Sequence, residues 1–159
     1  MPTPAPSQRL ADAVASVVSA LGLTTDATPP VAAAVAKRKR PVLVDGDPLP
    51  LVVVCVGDEE EYEPLYRTGT GLLWLVRRPV AVAVAFKALG KVGENADLRR
   101  FRDAAFGGVT AEALRAAGGG LRVSAVEPRG RPIFDGAALS SAQVDWSVLS
   151  LTVETLEEK

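Results

Sequence analysis

The segment from Leu72 to Lys87 constrains the fold more than any other stretch of this chain. Its second half alternates without a break. Val80, Val82, Val84 and Phe86 fall on one side, and Ala81, Ala83, Ala85 and Lys87 on the other. Successive side chains of a strand point to opposite faces, so a period of two predicts one long β-strand. The large residues need helices to cover them. The alanines form a flat face that either meets water or takes something packed closely against it. Pro79 has no N–H for a ladder and is expected to interrupt or bulge the strand.

Other strands follow from the same reasoning. Leu51 to Val56 reads Leu-Val-Val-Val-Cys-Val, an unbroken apolar run expected in the middle of the sheet with both faces covered. Residues 143–156 form a last long strand that changes phase. Val144, Trp146 and Val148 share one face, whereas Leu149, Leu151 and Val153 share the other, which implies a bulge near Val148 or burial of both faces. A shorter strand is expected from Leu121 to Glu127. Val31 to Arg40, bracketed by prolines, reads as an extended edge strand. Asp45-Gly46-Asp47-Pro48 and Gly69-Thr70-Gly71 are turns. Asp58 to Glu63 reads as an acidic loop, and Arg129 to Ser141 as a loop with its own glycine and proline.

Helical spacing appears in three places. Leu10, Val14, Val17, Val18 and Leu21 mark an amphipathic helix from Ser7, its expected N-cap, to a left-handed stop at Gly22. Asn95 or Asp97 caps a second helix over Ala96 to Phe106, and Thr110 with Glu112 opens a short third one ending before Gly118-Gly119-Gly120. Residues 1–6 alternate proline with small residues and read as a disordered arm, which leaves one domain over 7–159. Consecutive strands without helices between them give an α+β class: a mostly antiparallel or mixed sheet packed against two or three helices.

Composition narrows the chemistry. There is no histidine and a single cysteine, Cys55, in the 159 residues. The usual general base and metal ligand are missing, no internal disulfide can form, and Ser-His-Asp or Cys-His catalysis has no base. Cys55 lies inside an apolar strand and reads as core packing. Asp45 and Asp47 lack the glutamate that completes a calcium loop. No phosphate-binding glycine motif is present. The expectation is a protein without catalytic activity, metal or cofactor. Residues 1–7 lack the basic and apolar regions of a signal peptide, and no apolar run is of bilayer-spanning length, so a cytoplasmic protein without membrane contact is expected.

Two charge runs stand out against a net charge of −1. Lys37-Arg38-Lys39-Arg40 reads as a solvated edge that discourages unwanted pairing, as a subunit contact, or as a phosphate contact. Asp58, Glu59, Glu60, Glu61 and Glu63 form a patch of the opposite sign.

Read as a whole, the chain resembles the tail-terminator and minor tail proteins of tailed bacteriophages, a group that includes neck or head–tail joining proteins. The resemblance is carried by the helix opening Leu10-Ala-Asp-Ala-Val14, the strand entered through Arg77-Arg78-Pro79-Val80, the helix over Leu98 to Phe106, and Arg131-Pro-Ile-Phe-Asp135 with Val148-Leu-Ser-Leu-Thr152. It implies a structural virion protein assembled in the host cytoplasm. Copies would form a ring, a hexamer on a sixfold tail tube, touching the tube protein and the neck or head-completion proteins, with nucleic acid only passing through. The expected subunit interface joins Lys37–Arg40 of one copy to the acidic patch of the next. Apolar area would come from Ala81, Ala83, Ala85 and Trp146, and the two charge runs would lie on different sides of the subunit. Two other readings stay open at this point: a small α+β enzyme or ligand-binding domain, and a nucleic-acid-binding accessory protein using Lys37–Arg40.

Overall fold

A computed structural model describes residues 4–26, 28–69, 71–88, 96–141 and 143–159. The class is α+β, with one mixed sheet of six strands and four helices among the described residues. The spine is an antiparallel pair, β4 (Leu72–Lys87) and β6 (Val144–Glu158). Their register runs unbroken from Leu73 opposite Glu158 to Lys87 opposite Val144.

Neither expected irregularity occurs. Pro79 stays inside β4 because its missing N–H costs no ladder bond to β6. Its carbonyl accepts from Gly57 N at 2.8 Å, on the side away from β6, and the N–H and C=O of a strand residue point to the same side. That side is a gap where one neighbour strand ends and the next begins. The phase change of β6 comes from burial of opposite faces over successive stretches, with no bulge against β4.

On one flank of β4 lie β2 (Leu51–Val56) and then β3 (Glu61–Arg67), both antiparallel to it. The acidic segment is therefore partly a strand. The strand is hidden in the sequence because Glu-Tyr-Glu-Pro-Leu-Tyr-Arg lacks any apolar alternation, and all seven residues are exposed. β1 (Ala34–Lys37) pairs parallel to β2 and forms the sheet edge, as expected for the segment between prolines. On the other flank β5 (Val123–Pro128) pairs with β6 and closes the order β1-β2-β4-β6-β5.

Helices α1 (Pro6–Ala20), α2 (Ala96–Gly108) and α3 (Ala111–Ala116) cover one face. Helix α1 starts at Pro6, with no side-chain cap at Ala5, so Ser7 lies in the first turn instead of capping it. Proline is tolerated at the first helical position because its absent N–H has no intrahelical partner there. The expected arm thus ends before Pro6, and its residues 1–3, like Thr70 and the cap candidate Asn95, lie outside the described residues. Thr110 caps α3 by accepting from Ala113 N at 3.1 Å. Val80, Val82, Val84 and Phe86 form the core under these helices with Leu10, Val14, Phe101, Leu114, Leu151 and Val153.

The alanine face is covered by the chain itself. A short helix α4 (Gly136–Leu139), inside what reads as loop, packs there with Ile133, Phe134, Leu43 and Leu49. Ala81, Ala83 and Ala85 are completely buried, Trp146 is 8% exposed, and all four join one cluster with Leu51, Val53 and Cys55. The expectation that these four contact another subunit is corrected by this packing. The 131–139 segment approaches β6 closely, since a Cβ at Gly136 would lie 2.9 Å from the Trp146 carbonyl oxygen.

Candidate functional site

The charged end of the sheet, where β2 gives way to β3, gathers most of the unusual side chains. Position 78 belongs to the same stripe of β4 as Val76 and Val80, yet it is an arginine with only 2% exposure. A buried guanidinium requires partners. Arg78 Nε donates to Glu60 at 2.8 Å, Nη1 to Glu157 at 2.5 Å and to Thr155 Oγ1 at 3.2 Å, and Nη2 to Glu157 at 3.2 Å. Glu60 precedes β3 and Glu157 lies next to the final residue of β6, so one side chain ties three segments together.

Titration follows from this geometry. Burial alone lowers the Arg78 pKa, but hydrogen bonds to Glu157 and Glu60 outweigh it and the net shift is upward. Glu60 is held below the usual carboxylate range first by the Tyr62 hydroxyl and then by Arg78. Burial raises the Glu157 carboxyl, and Arg78 and Thr155 more than reverse that. Tyr62 also meets Trp74 edge-on, with ring centroids 6.1 Å apart, and lies under the Lys159 ammonium at 4.6 Å.

On the opposite face of the same strands, Arg77 bridges Glu154 at 2.8 Å and Glu63 at 3.0 Å. Its pKa is raised, chiefly by Glu154. Beside it a trough of about 240 Å³ crosses the sheet from Glu59 and Glu61 to Glu127 and Arg129. Arg129 reaches Thr152 Oγ1 at 3.4 Å, while its Nε is buried without a partner.

The basic run is divided. Lys37 pairs with Asp12 of α1. Arg38 grips Asp47 at 2.6 and 2.7 Å and the Val42 carbonyl at 2.6 Å, which fastens the crossover from β1 to β2. That contact, reinforced by the Val44 N–H, lowers the Asp47 pKa to about 2. Lys39 and Arg40 alone remain exposed without a partner among the described residues. The acidic run is divided too. Glu60 and Glu63 are engaged, while Asp58, Glu59 and Glu61 are exposed and unpaired among the described residues.

The two runs do not lie on different sides of the subunit. Parallel pairing of β1 with β2 brings their C-terminal ends together, and Asp58 lines one depression with Lys37, Arg38 and Lys39. The expected pairing of opposite flanks through these two runs is thereby corrected. Sequence reasoning also missed Arg77 and Arg78 as the organisers of this end. The available signal was parity, a charge at position 78 on the buried stripe.

Cys55 is buried, and burial pushes its thiol up to about 11, far from a reactive thiolate. Among the described residues no three histidine, cysteine, aspartate or glutamate side chains are arranged to hold a metal, and no helix is long and apolar enough to cross a membrane. No protein-family model matches this chain, and no curated protein matches it at a significant level.

Proposed function

We propose that this protein is a structural subunit that assembles with copies of itself into a ring, of the tail-terminator or neck type. The observation that carries this reading is the shape of the sheet. Both of its flanks end in open strand edges, β1 and β3 on one side and β5 on the other, while both faces of the sheet around Val80–Phe86 are covered by the chain itself. A plate of this kind is extended at its edges, and a cyclic assembly joins one edge of each copy to a different edge of the next. The resemblance of the sequence to tail-terminator proteins supports the ring and a count of six, with the tail-tube and neck proteins as its neighbours. No role in bond-making chemistry is assigned to any residue. The test is molar mass by light scattering, for the protein alone and with a tail-tube protein of the same phage type. A closed oligomer of six copies is expected in at least one condition. A monomer in both, at concentrations up to the millimolar range, overturns the reading.

A further inference from the structure

On the face of the upper sheet that carries Arg78, polar side chains close into a circuit. Lys159 Nζ donates to the Tyr62 hydroxyl at 3.3 Å, and that hydroxyl donates to Glu60. The direction is fixed, because an ammonium only donates and a carboxylate only accepts. Glu60 also accepts from Arg78 at 2.8 Å, and Arg78 donates to Glu157 at 2.5 Å. Glu157 lies 3.9 Å from the Lys159 ammonium, which closes the loop. Two cations balance two carboxylates, with the tyrosine between them.

The members are held unequally. The side chain of Arg78 is 2% exposed and that of Glu157 10%. Lys159 is 48% exposed. Its backbone is fixed by reciprocal bonds to Leu72 at 2.8 and 3.0 Å, so its side chain can swing out without opening the ladder. Without that ammonium the circuit holds two carboxylates against one guanidinium and carries one negative charge. Its open side then presents the face of Tyr62, now 4.6 Å from the Lys159 nitrogen, together with the hydroxyl oxygen and Glu157. Edge-on contact with Trp74 at 6.1 Å keeps the Tyr62 ring in place. A ring face attracts a cation through its quadrupole, the hydroxyl accepts an N–H, and the carboxylate supplies counter-charge. This set matches a primary alkylammonium. A quaternary ammonium has no N–H and would use the ring and the charge alone.

We infer that Tyr62 and Glu157 form an ammonium site, filled here by the chain's own Lys159, which takes the lysine side chain of a partner chain when Lys159 swings out. The site does not rest on the ring reading, and its failure would leave that reading untouched.

Lys159→Met keeps an unbranched stem and removes the charge. Titration of this variant with N-acetyl-lysine methylamide, followed by the indole N–H resonance of Trp74, should saturate. Its affinity should exceed that of the parent, whose own lysine competes intramolecularly, by about tenfold or more. N-acetyl-norleucine methylamide, which lacks the charge, should bind about tenfold more weakly, and the trimethyl-lysine probe about threefold more weakly. In the Lys159→Met background, Tyr62→Leu should abolish saturation and Tyr62→Phe should weaken binding about threefold. Circular dichroism confirms that each variant is folded. Light scattering separates the sources of the ammonium. If a second copy supplies it, Lys159→Met raises the molar mass, and adding Lys39→Met with Lys87→Met, exposed lysines without a partner among the described residues, cancels the rise. An unchanged mass assigns the ammonium to a different protein. The site is overturned if Lys159→Met shows no saturation up to about 0.1 M probe, if parent and variant bind equally, or if the norleucine probe binds as well as the lysine probe.

Discussion

The two halves of the β4–β6 ribbon share one register and are held by different forces. In the lower half, from Val80 to Phe86 and from Val144 to Leu151, apolar side chains are buried on both faces, under helices on one and under α4 and its flanking segment on the other. In the upper half, from Leu72 to Arg78 and from Val153 to Glu158, Leu73, Val76 and Val153 are still buried, but charged side chains add cross-strand ties on both faces. Arg78 knots Glu60 to Glu157 on one face, and Arg77 knots Glu63 to Glu154 on the other. Apolar burial is indifferent to pH and to salt of ordinary concentration. Buried ion pairs add little net stability when intact, yet losing one partner is costly. The upper half is thus the conditional part of the molecule, and it carries the proposed ammonium site.

The largest effect is expected in the lower half. Phe86 is 6% exposed and meets Phe101 at 4.9 Å between ring centroids. Phe86→Ala should cost roughly 3–5 kcal/mol in urea unfolding monitored by circular dichroism. A loss below about 1 kcal/mol would contradict a packed lower half.

In the upper half, Glu157→Gln leaves Arg78 with Glu60 as its remaining carboxylate. The expected cost is about 2 kcal/mol, below the roughly 3–5 kcal/mol for a pair left wholly uncompensated. The same knot gives a pH dependence of definite sign. The folded pKa values of Glu60 and Glu157 are lowered, so their contribution is fully present above the ordinary carboxylate value near 4.5. It is lost as pH falls through the folded values. Trp74 meets Tyr62 of β3 edge-on, and in a Trp146→Phe background it is the remaining tryptophan and reports this end. Its emission should shift red on acidification below about pH 4.5 before the far-ultraviolet signal falls. Coincident transitions would remove the distinction between the halves.

Smaller effects bound the account. Thr110→Ala removes the α3 cap and should cost about 1 kcal/mol. Asp12→Asn breaks the Lys37 pair on a half-exposed surface and should change stability by about 0–0.5 kcal/mol. A loss above 1.5 kcal/mol there would mean that surface charge matters more than the comparison of halves allows.

Legibility in the sequence follows the same division. The lower half announces itself, because burial imposes periods. Alternation from Val80 to Phe86 defines β4 to its last residue, Lys87, and the phase change of β6 reports burial on opposite faces. The alanine face is covered by a segment that leaves weak marks. Helix α4 is four residues long and has no buried side chain, so helical spacing cannot reveal it. β3 is exposed throughout and its stability comes from ladder bonds and from Arg77 and Arg78, neither of which imposes a pattern on its own residues. The charge runs were visible as composition, but their meaning depended on pairing. Arg38 is consumed by Asp47, Glu60 by Arg78 and Glu63 by Arg77, and parallel pairing of β1 with β2 puts the two runs side by side. Only three-dimensional register separates engaged charges from available ones.

Amide hydrogen exchange read by mass spectrometry at pH 7 and after a pulse near pH 4 tests the central contrast most directly, with rates corrected for intrinsic pH dependence. The lower half, residues 80–86 and 146–151, should keep its protection at both values. Residues 61–67, 72–77 and 153–158 should lose protection about tenfold or more on acidification, in proportion to the opening of the Arg78 knot. Equal loss in the two halves, or loss confined to the lower one, would contradict the claim that charge holds one end of this sheet and apolar burial the other.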